Sequence, residues 1–214
     1  TKLLNYSNLI KTEFNNEKKL TIDQGKKGLV YTGFVTERRG ALIYADIAKN
    51  MPEVPLHLIG EVRPLELLER LTKIAGANTN LIIDGKGNFV DPIRKDNLVR
   101  NGNWFAALCI FPYSIQYLNT EPTKFFDYMS YGIPIVCSNF PVWKDFIEKE
   151  QCGLTVDPGD IDDIRDKINY LSNNIEAGIK MGENGRKAVN EKYNWKNESK
   201  KLIELYNNIY SSNN

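Results

Sequence analysis

An α/β fold, a doubly wound parallel sheet of six strands with helices on both faces, is predicted by two features of this sequence. Six short apolar runs are too continuous to be strands with one wet face, and they alternate with segments whose apolar residues recur at helical spacing. Glycine-containing or polar turns separate most of these segments. Strand–helix alternation of this kind requires parallel pairing with crossover helices on each face.

The elements follow in order. Residues 1–27 are polar and rich in Lys and Asn, with a short helical candidate at 9–14, and read as a linker. Leu29-Val-Tyr-Thr-Gly33 is the first strand, broken by its glycine. Leu42, Ala45, Ile47 and Ala48 mark a helix over 41–50, closed by Pro52. Residues 55–60 are the second strand, and Leu65, Leu68, Leu71 and Ile74 the next helix, ending at Gly76. Residues 81–83 are the third strand, with Asp84-Gly-Lys-Gly-Asn88 as its loop. A helix over 93–100 fits an otherwise ambiguous stretch. Residues 106–111 are a wholly apolar fourth strand, 133–137 the fifth, 143–150 a short helix, and 153–156 the sixth strand, stopped by Asp157-Pro-Gly-Asp160. Asp160 is placed to cap a helix carrying Ile161, Ile164, Ile168 and Leu171. The segment 175–193 is expected to be broken at Gly178, Gly182 and Gly185, and 195–210 to form the last helix.

Composition narrows the function classes. The chain has 214 residues, 42% hydrophobic and 26% charged, with a net charge of +1, which leaves no basic stripe for nucleic acid. No apolar run reaches the length of a membrane span and no signal peptide is visible, so a cytoplasmic location is expected. Cys109, Cys137 and Cys152 form no disulfide framework, and the first and second sit in apolar runs as buried thiols. His57 is the sole histidine, which excludes a His-rich metal site and favours a structural role for it.

The most informative stretch is Asn119-Thr-Glu-Pro-Thr-Lys-Phe-Phe-Asp127-Tyr-Met-Ser-Tyr-Gly132-Ile-Pro134. Asn119 and Thr120 are capping-type residues, Pro122 suits the first helical turn, and Gly132 with Pro134 ends the helix. First-turn amides have no partner inside a helix, so its start attracts an anion such as phosphate, and Lys124 adds a full charge there. Thr123, Lys124 and Asp127 share one face, where a carboxylate one turn past a phosphate could accept hydrogen bonds from sugar hydroxyls. The plainer alternative is a surface ion pair of Lys124 with Asp127 and no ligand. The position of this helix after the fourth strand favours a ligand, because such sheets bind beyond the carboxyl ends of their strands. Gly33 and the 34–40 loop follow the first strand and face the same crevice. Glu121 and Asp127 as a hydrolase pair are disfavoured, since six residues apart on a helix they turn to different faces.

From about residue 28 onward the motifs, in this order, resemble the C-terminal, nucleotide-sugar-binding half of retaining GT-B glycosyltransferases, the group 1 family that builds bacterial surface polysaccharides. Tyr31-Thr-Gly33-Phe-Val-Thr-Glu-Arg-Arg39-Gly40 is similar to the family's first strand and turn. Asn119 to Val136 is similar to its donor helix, and 153–160, Met181-Gly-Glu-Asn-Gly185 and Tyr193-Asn-Trp195 to its closing segments. The resemblance implies an interlobe linker at 1–27, a Rossmann-like nucleotide-sugar-binding domain at 28–192, and a returning helix and tail at 193–214. It implies that Gly33 and Arg39, the backbone at Glu121, Pro122 and Thr123, and Lys124 hold the donor diphosphate. Asn119 would approach the donor sugar and Asp127 the ribose, with Asn119, Lys124 and Arg39 serving catalysis. The nucleotide sugar is then a substrate, no cofactor or metal is required, and the acceptor is a glycan or lipid-linked glycan at the inner membrane face, peripheral at most. An N-terminal acceptor lobe would lie upstream, and the chain alone is expected to perform little transfer.

Three positions depart from the family pattern: Phe34 where an arginine is common, and Asn119 and Asp127 where glutamates are commoner. Base contacts are expected from 84–87, without a readable code. Two other readings stay open at this point: a GT-B-type nucleotide-sugar epimerase, which would want acid–base groups that only a distant His57 offers, and a non-catalytic α/β interaction domain.

Overall fold

The computed structural model describes residues 28–76 and 80–211. The proposed linker, its helical candidate at 9–14 and the last three residues of the tail lie outside the described residues. Six strands form one parallel sheet: β1 Gly28–Thr32, β2 Leu56–Ile59, β3 Leu81–Asp84, β4 Trp104–Cys109, β5 Ile135–Ser138 and β6 Gly153–Val156. Their order is β3-β2-β1-β4-β5-β6, with helices on both faces, so the doubly wound reading holds. β1 is buried along its whole length, and Leu29, Val30, Leu108 and Val136 are wholly enclosed. Each such side chain contributes roughly 1.5–3 kcal/mol by leaving water. Continuous apolar runs are the expected pattern for central strands covered on both faces. Cys109 and Cys137 are neighbours on β4 and β5, and all three cysteines are buried free thiols.

The crossover helices are α1 Ala41–Asn50, α2 Leu67–Ala75, α3 Pro92–Asn101, α4 Ile115–Leu118, α5 Thr123–Tyr131 and α6 Pro141–Glu150, and α7 Ile161–Asn173, α8 Ile175–Glu191 and α9 Trp195–Ser211 follow the last strand. Asp160 caps α7 as expected, accepting from the amides of Asp162 at 2.9 Å and Asp163 at 3.1 Å. Along α9, Ile203 and Tyr206 stand 59% and 66% exposed, so an apolar stripe faces outward.

Two expectations are corrected. The first concerns the start of the anion helix. Ser114 caps a separate short helix, α4, and Asn119 ends that helix instead of opening the next. Thr120 donates its hydroxyl back to the Gln116 carbonyl at 3.1 Å. Pro122 is therefore the extended residue before α5, and no side chain caps that start. A proline fixed near φ −65° forms the entry as well from outside the helix as from within it.

The second correction is that α8 runs unbroken through Gly178, Gly182 and Gly185. The glycines let α8 approach α5 closely. A Cβ on Gly182 would collide with the Gly132 carbonyl oxygen, and one on Gly185 would press Met129 at 3.0 Å. Gly132 itself ends α5 in the left-handed region at φ 71°, with the Ile133 amide bonded to the Tyr128 carbonyl at 3.0 Å. This is the hydrogen-bond pattern of a Schellman stop. Arg186 on α8 then donates to the Tyr131 carbonyl at 2.9 Å and places positive charge at the negative end of α5.

These contacts reverse the usual rule for helical glycine. Gly182→Ala is expected to destabilise the full chain by about 1–3 kcal/mol in urea titration, although alanine ordinarily gains about 1 kcal/mol inside a helix. Gly178→Ala, whose added carbon meets only Pro134 at 3.8 Å and Leu171 at 3.9 Å, is expected to be neutral or stabilising. Equal effects of the two substitutions would contradict the packing argument.

Candidate functional site

The strand order reverses between β1 and β4, and the crevice lies beyond their carboxyl ends. One side chain sets its geometry. The buried Tyr128 of α5 accepts from the Thr32 amide at 3.0 Å and donates to the Leu108 carbonyl at 3.3 Å. It thus occupies backbone groups of both strands where their ladder has ended, and seats α5 over the gap. Ser138 does the same at the next strand, accepting from the Phe111 amide at 2.8 Å and donating to the Phe111 carbonyl at 2.7 Å. The segment entering α5 is fixed by Trp143, whose indole N–H donates to the Thr120 carbonyl. Trp143 itself sits in an aromatic cluster with Phe111, Phe125 and Phe140.

Within this frame the residues expected to hold an anion come together in part. Gly33 (φ 108°) turns the chain after β1, and a Cβ there would collide with Lys124 Nζ and lie 3.8 Å from an Arg39 guanidinium nitrogen. Glycine is thus required for the backbone conformation, and any side chain here would push the Lys124 ammonium aside. A Cβ at Gly40 would strike the Ile110 carbonyl oxygen, so the turn carrying Arg39 is held tightly against the end of β4. Lys124 lies 5.1 Å from the centre of the Tyr31 ring. Of residues 121–123, Pro122 has no N–H. The first-turn amides of Thr123 and Lys124 have no acceptor among the described residues.

The surface ion pair of the plainer alternative is not formed. Lys124 and Asp127 are both half-buried, and neither Lys124 nor Arg39 has a carboxylate within ion-pair distance among the described residues. Burial, reinforced by Arg39, lowers the Lys124 ammonium to about 8 against the opposing pull of Asp127 and Cys109. Burial raises the Asp127 carboxyl above its usual range, while Lys95 and Lys124 oppose that shift. Two unneutralised cations beside free amides can accept a polyanion. A partly desolvated carboxyl one turn away can take neutral hydroxyl donors.

Thr123, Glu121 and Asn119 stand exposed along the approach to α5, where they can touch a ligand only from outside. His57 packs edge-on to Trp104, ring centres 4.8 Å apart, and burial lowers its pKa. That pair lines a separate groove with Ile93 and Leu98. Asp84, at the head of the loop expected to meet a base, is paired with Arg94 at 2.9 Å. Sequence reasoning missed Lys95 of α3, whose charge acts on both Asp127 and Lys124. It also missed Tyr31 under Lys124. No spacing rule joins α3 to α5, and Tyr31 reads as one more apolar strand position. Among the described residues no group of three or more His, Cys, Asp or Glu could hold a metal ion, and no helix is long and apolar enough to cross a membrane.

A family profile described as glycosyl transferases group 1 matches residues 13–188. Curated proteins gave no sequence match. Among solved structures, the C-terminal domain of the group 1 glycosyl transferase LpcC from Francisella tularensis is similar at 21% identity and TM-score 0.59, over 80% of this chain and 88% of that one. Anabaena Alr3699/HepE, in complex with UDP and glucose, is similar at 15% identity and TM-score 0.72, over 96% of this chain and 56% of that one. A glycosyltransferase from Rickettsia africae is similar at 16% identity and TM-score 0.68, over 86% of this chain and 48% of that one. The chain thus spans most of the Francisella domain and about half of each longer chain. At these identities the likeness concerns the fold.

The lowered Lys124 pKa gives a signed expectation. The charged fraction of the free ammonium falls about tenfold between pH 7 and pH 9 for a group titrating near 8. Binding of an anion needs the charged form, so affinity is present below that pH and is lost above it. The ratio of wild-type to Lys124→Arg affinity for inorganic pyrophosphate, which cancels titration of the ligand, is expected to drop by up to about tenfold over that interval. A ratio flat with pH would show that Lys124 does not meet the anion.

Proposed function

The chain belongs to the group 1 glycosyl transferases, and from that premise we propose that it is the donor-binding lobe, which grips a nucleoside-diphosphate sugar by its diphosphate. The observation that carries this reading is the convergence of Lys124 and Arg39 on Gly33, with neither cation neutralised by a carboxylate. The UDP bound to the Anabaena relative supports a nucleoside diphosphate as the ligand class.

In the proposed reaction the bond between the sugar's anomeric carbon and the diphosphate oxygen breaks, and its electron pair leaves with the diphosphate. The charge on that oxygen grows towards the transition state, so fixed cations and amide dipoles aimed at it stabilise the transition state more than the ground state. Arg39, Lys124 and the start of α5 supply these groups, and the reaction needs no metal to neutralise the leaving group. Asp127 accepts from the ribose hydroxyls, and Asn119 hydrogen-bonds the donor sugar from the approach to α5. The sugar passes with retention to a glycan or lipid-linked acceptor.

An acceptor lobe preceding this one completes the site. The segment 1–27 joins the lobes, the domain spans 28–192, and the returning helix begins at 193. The outward apolar stripe of α9 supports a surface that the other lobe covers. In this reading the enzyme works in the cytoplasm, at the inner membrane face when its acceptor is lipid-linked.

Calorimetric titration with UDP, GDP and ADP is expected to give micromolar-to-millimolar binding of at least one. Lys124→Ala or Arg39→Ala is expected to weaken it by about ten- to a hundredfold, the range of a lost charge-assisted hydrogen bond. Absence of heat with all three nucleotides would overturn the reading.

A further inference from the structure

The donor reading gives Phe34 no role, yet this aromatic ring, 37% exposed, stands in the turn that presents Arg39. The loops after β1 and β2 bring two guanidinium groups to it. Val35 and Val62 form a parallel bridge, the Val35 amide donates to the Glu61 carbonyl at 2.9 Å, and the Arg63 amide donates to the Val35 carbonyl at 3.0 Å. These bonds extend the sheet past the ends of its strands and place Arg63 4.2 Å from the centre of the Phe34 ring. Arg39 lies 5.6 Å from the same centre. The Phe34 backbone is fixed from below by the Tyr31 hydroxyl, which donates to its carbonyl at 2.8 Å.

The two arginines differ in one respect. Arg63 makes a bidentate pair with Glu61 at 2.6 and 2.7 Å, so its charge is already met. Arg39 has no carboxylate partner among the described residues, and the groups beside it are the ring of Phe34, the hydroxyl of Tyr31 and the ammonium of Lys124. A carboxylate would hold Arg39 more firmly but would cancel the charge a ligand needs. A ring face attracts a guanidinium without neutralising it.

We propose that Phe34 is a positioning residue that holds the Arg39 guanidinium by its ring face, keeping it ordered and uncancelled for the donor diphosphate, with the Arg63–Glu61 pair fixing the ring. The inference rests on the diphosphate reading above. Arg39 then binds at a smaller loss of side-chain entropy than a free arginine would.

The test is calorimetry of the full chain with inorganic pyrophosphate and with UDP, GDP and ADP. Phe34→Leu removes the ring and is expected to weaken binding about three- to tenfold, the range of a partly exposed cation–ring contact. Phe34→Tyr keeps the ring and is expected to bind as the parent does. In an Arg39→Ala background, Phe34→Leu is expected to have no further effect, because the ring acts only through that arginine. Phe34→Met is a second ring-free variant should the leucine protein melt early. Undiminished binding by both ring-free variants would overturn the proposal, as would equal losses for leucine and tyrosine or a full loss persisting without Arg39. Failure of the parent to bind any of the four ligands would instead sink the diphosphate reading itself.

Discussion

A single phenol holds the crevice open. In a doubly wound sheet the strands on either side of the reversal point send their crossovers to opposite faces, which leaves backbone groups unpaired where the two strands part. A buried unpaired amide or carbonyl costs about 1–3 kcal/mol. Tyr128 takes one such group from β1 and one from β4, and because it belongs to α5 it fixes where that helix starts. Gly132 and Arg186 complete the other end of α5, and the glycines of α8 let the neighbouring helix close against it. The position of Lys124 follows from all three.

Around that helix the structure keeps positive charge unpaired at some cost. Lys124 is half-buried, and its ammonium titrates well below the ordinary lysine range because burial and Arg39 both oppose its charge. Several cations elsewhere among the described residues have carboxylate partners: Arg70 pairs with Glu37, Arg94 with Asp84, Arg100 with Asp96 and Lys192 with Glu150. What sets the two crevice cations apart is partial burial of Lys124 and the aromatic rings beside both of them. A perturbed cation in a cleft is a probabilistic sign of function. Lys124 lies in the first turn of α5, whose amides at Thr123 and Lys124 have no acceptor among the described residues.

Much of this was legible in the residues, because parallel strands and amphipathic helices write themselves as periodicity. The sixth strand and the helix over 41–50 fall where the apolar pattern puts them, and Asp160 caps as its type suggests. Glycine misled. The rule that glycine weakens a helix is a statement about isolated chains, and in α8 tertiary contact with Gly132 and Met129 overrides it. The false cap at Asn119 has a similar cause, since Ser114, five residues before it, had already opened a short helix that Asn119 closes. Gly33, Arg39, Lys124 and Asp127 were picked out from motif, topology and the family resemblance, and the structure brings the first three together. Lys95, Phe34 as a holder of Arg39, and Tyr31 were not picked out, because cation–ring contacts and charges from a third helix exist only once the sheet has assembled.

The central claim is that Gly33, Arg39, Lys124 and the first amides of α5 form one anion site. A crystal structure of the full chain grown with a nucleoside diphosphate tests it most directly. Both phosphates are expected within hydrogen-bond reach of Lys124, Arg39 and the amides at the start of α5. A nucleotide seated instead in the groove beside His57 and Trp104, with Lys124 and Arg39 untouched, would contradict it.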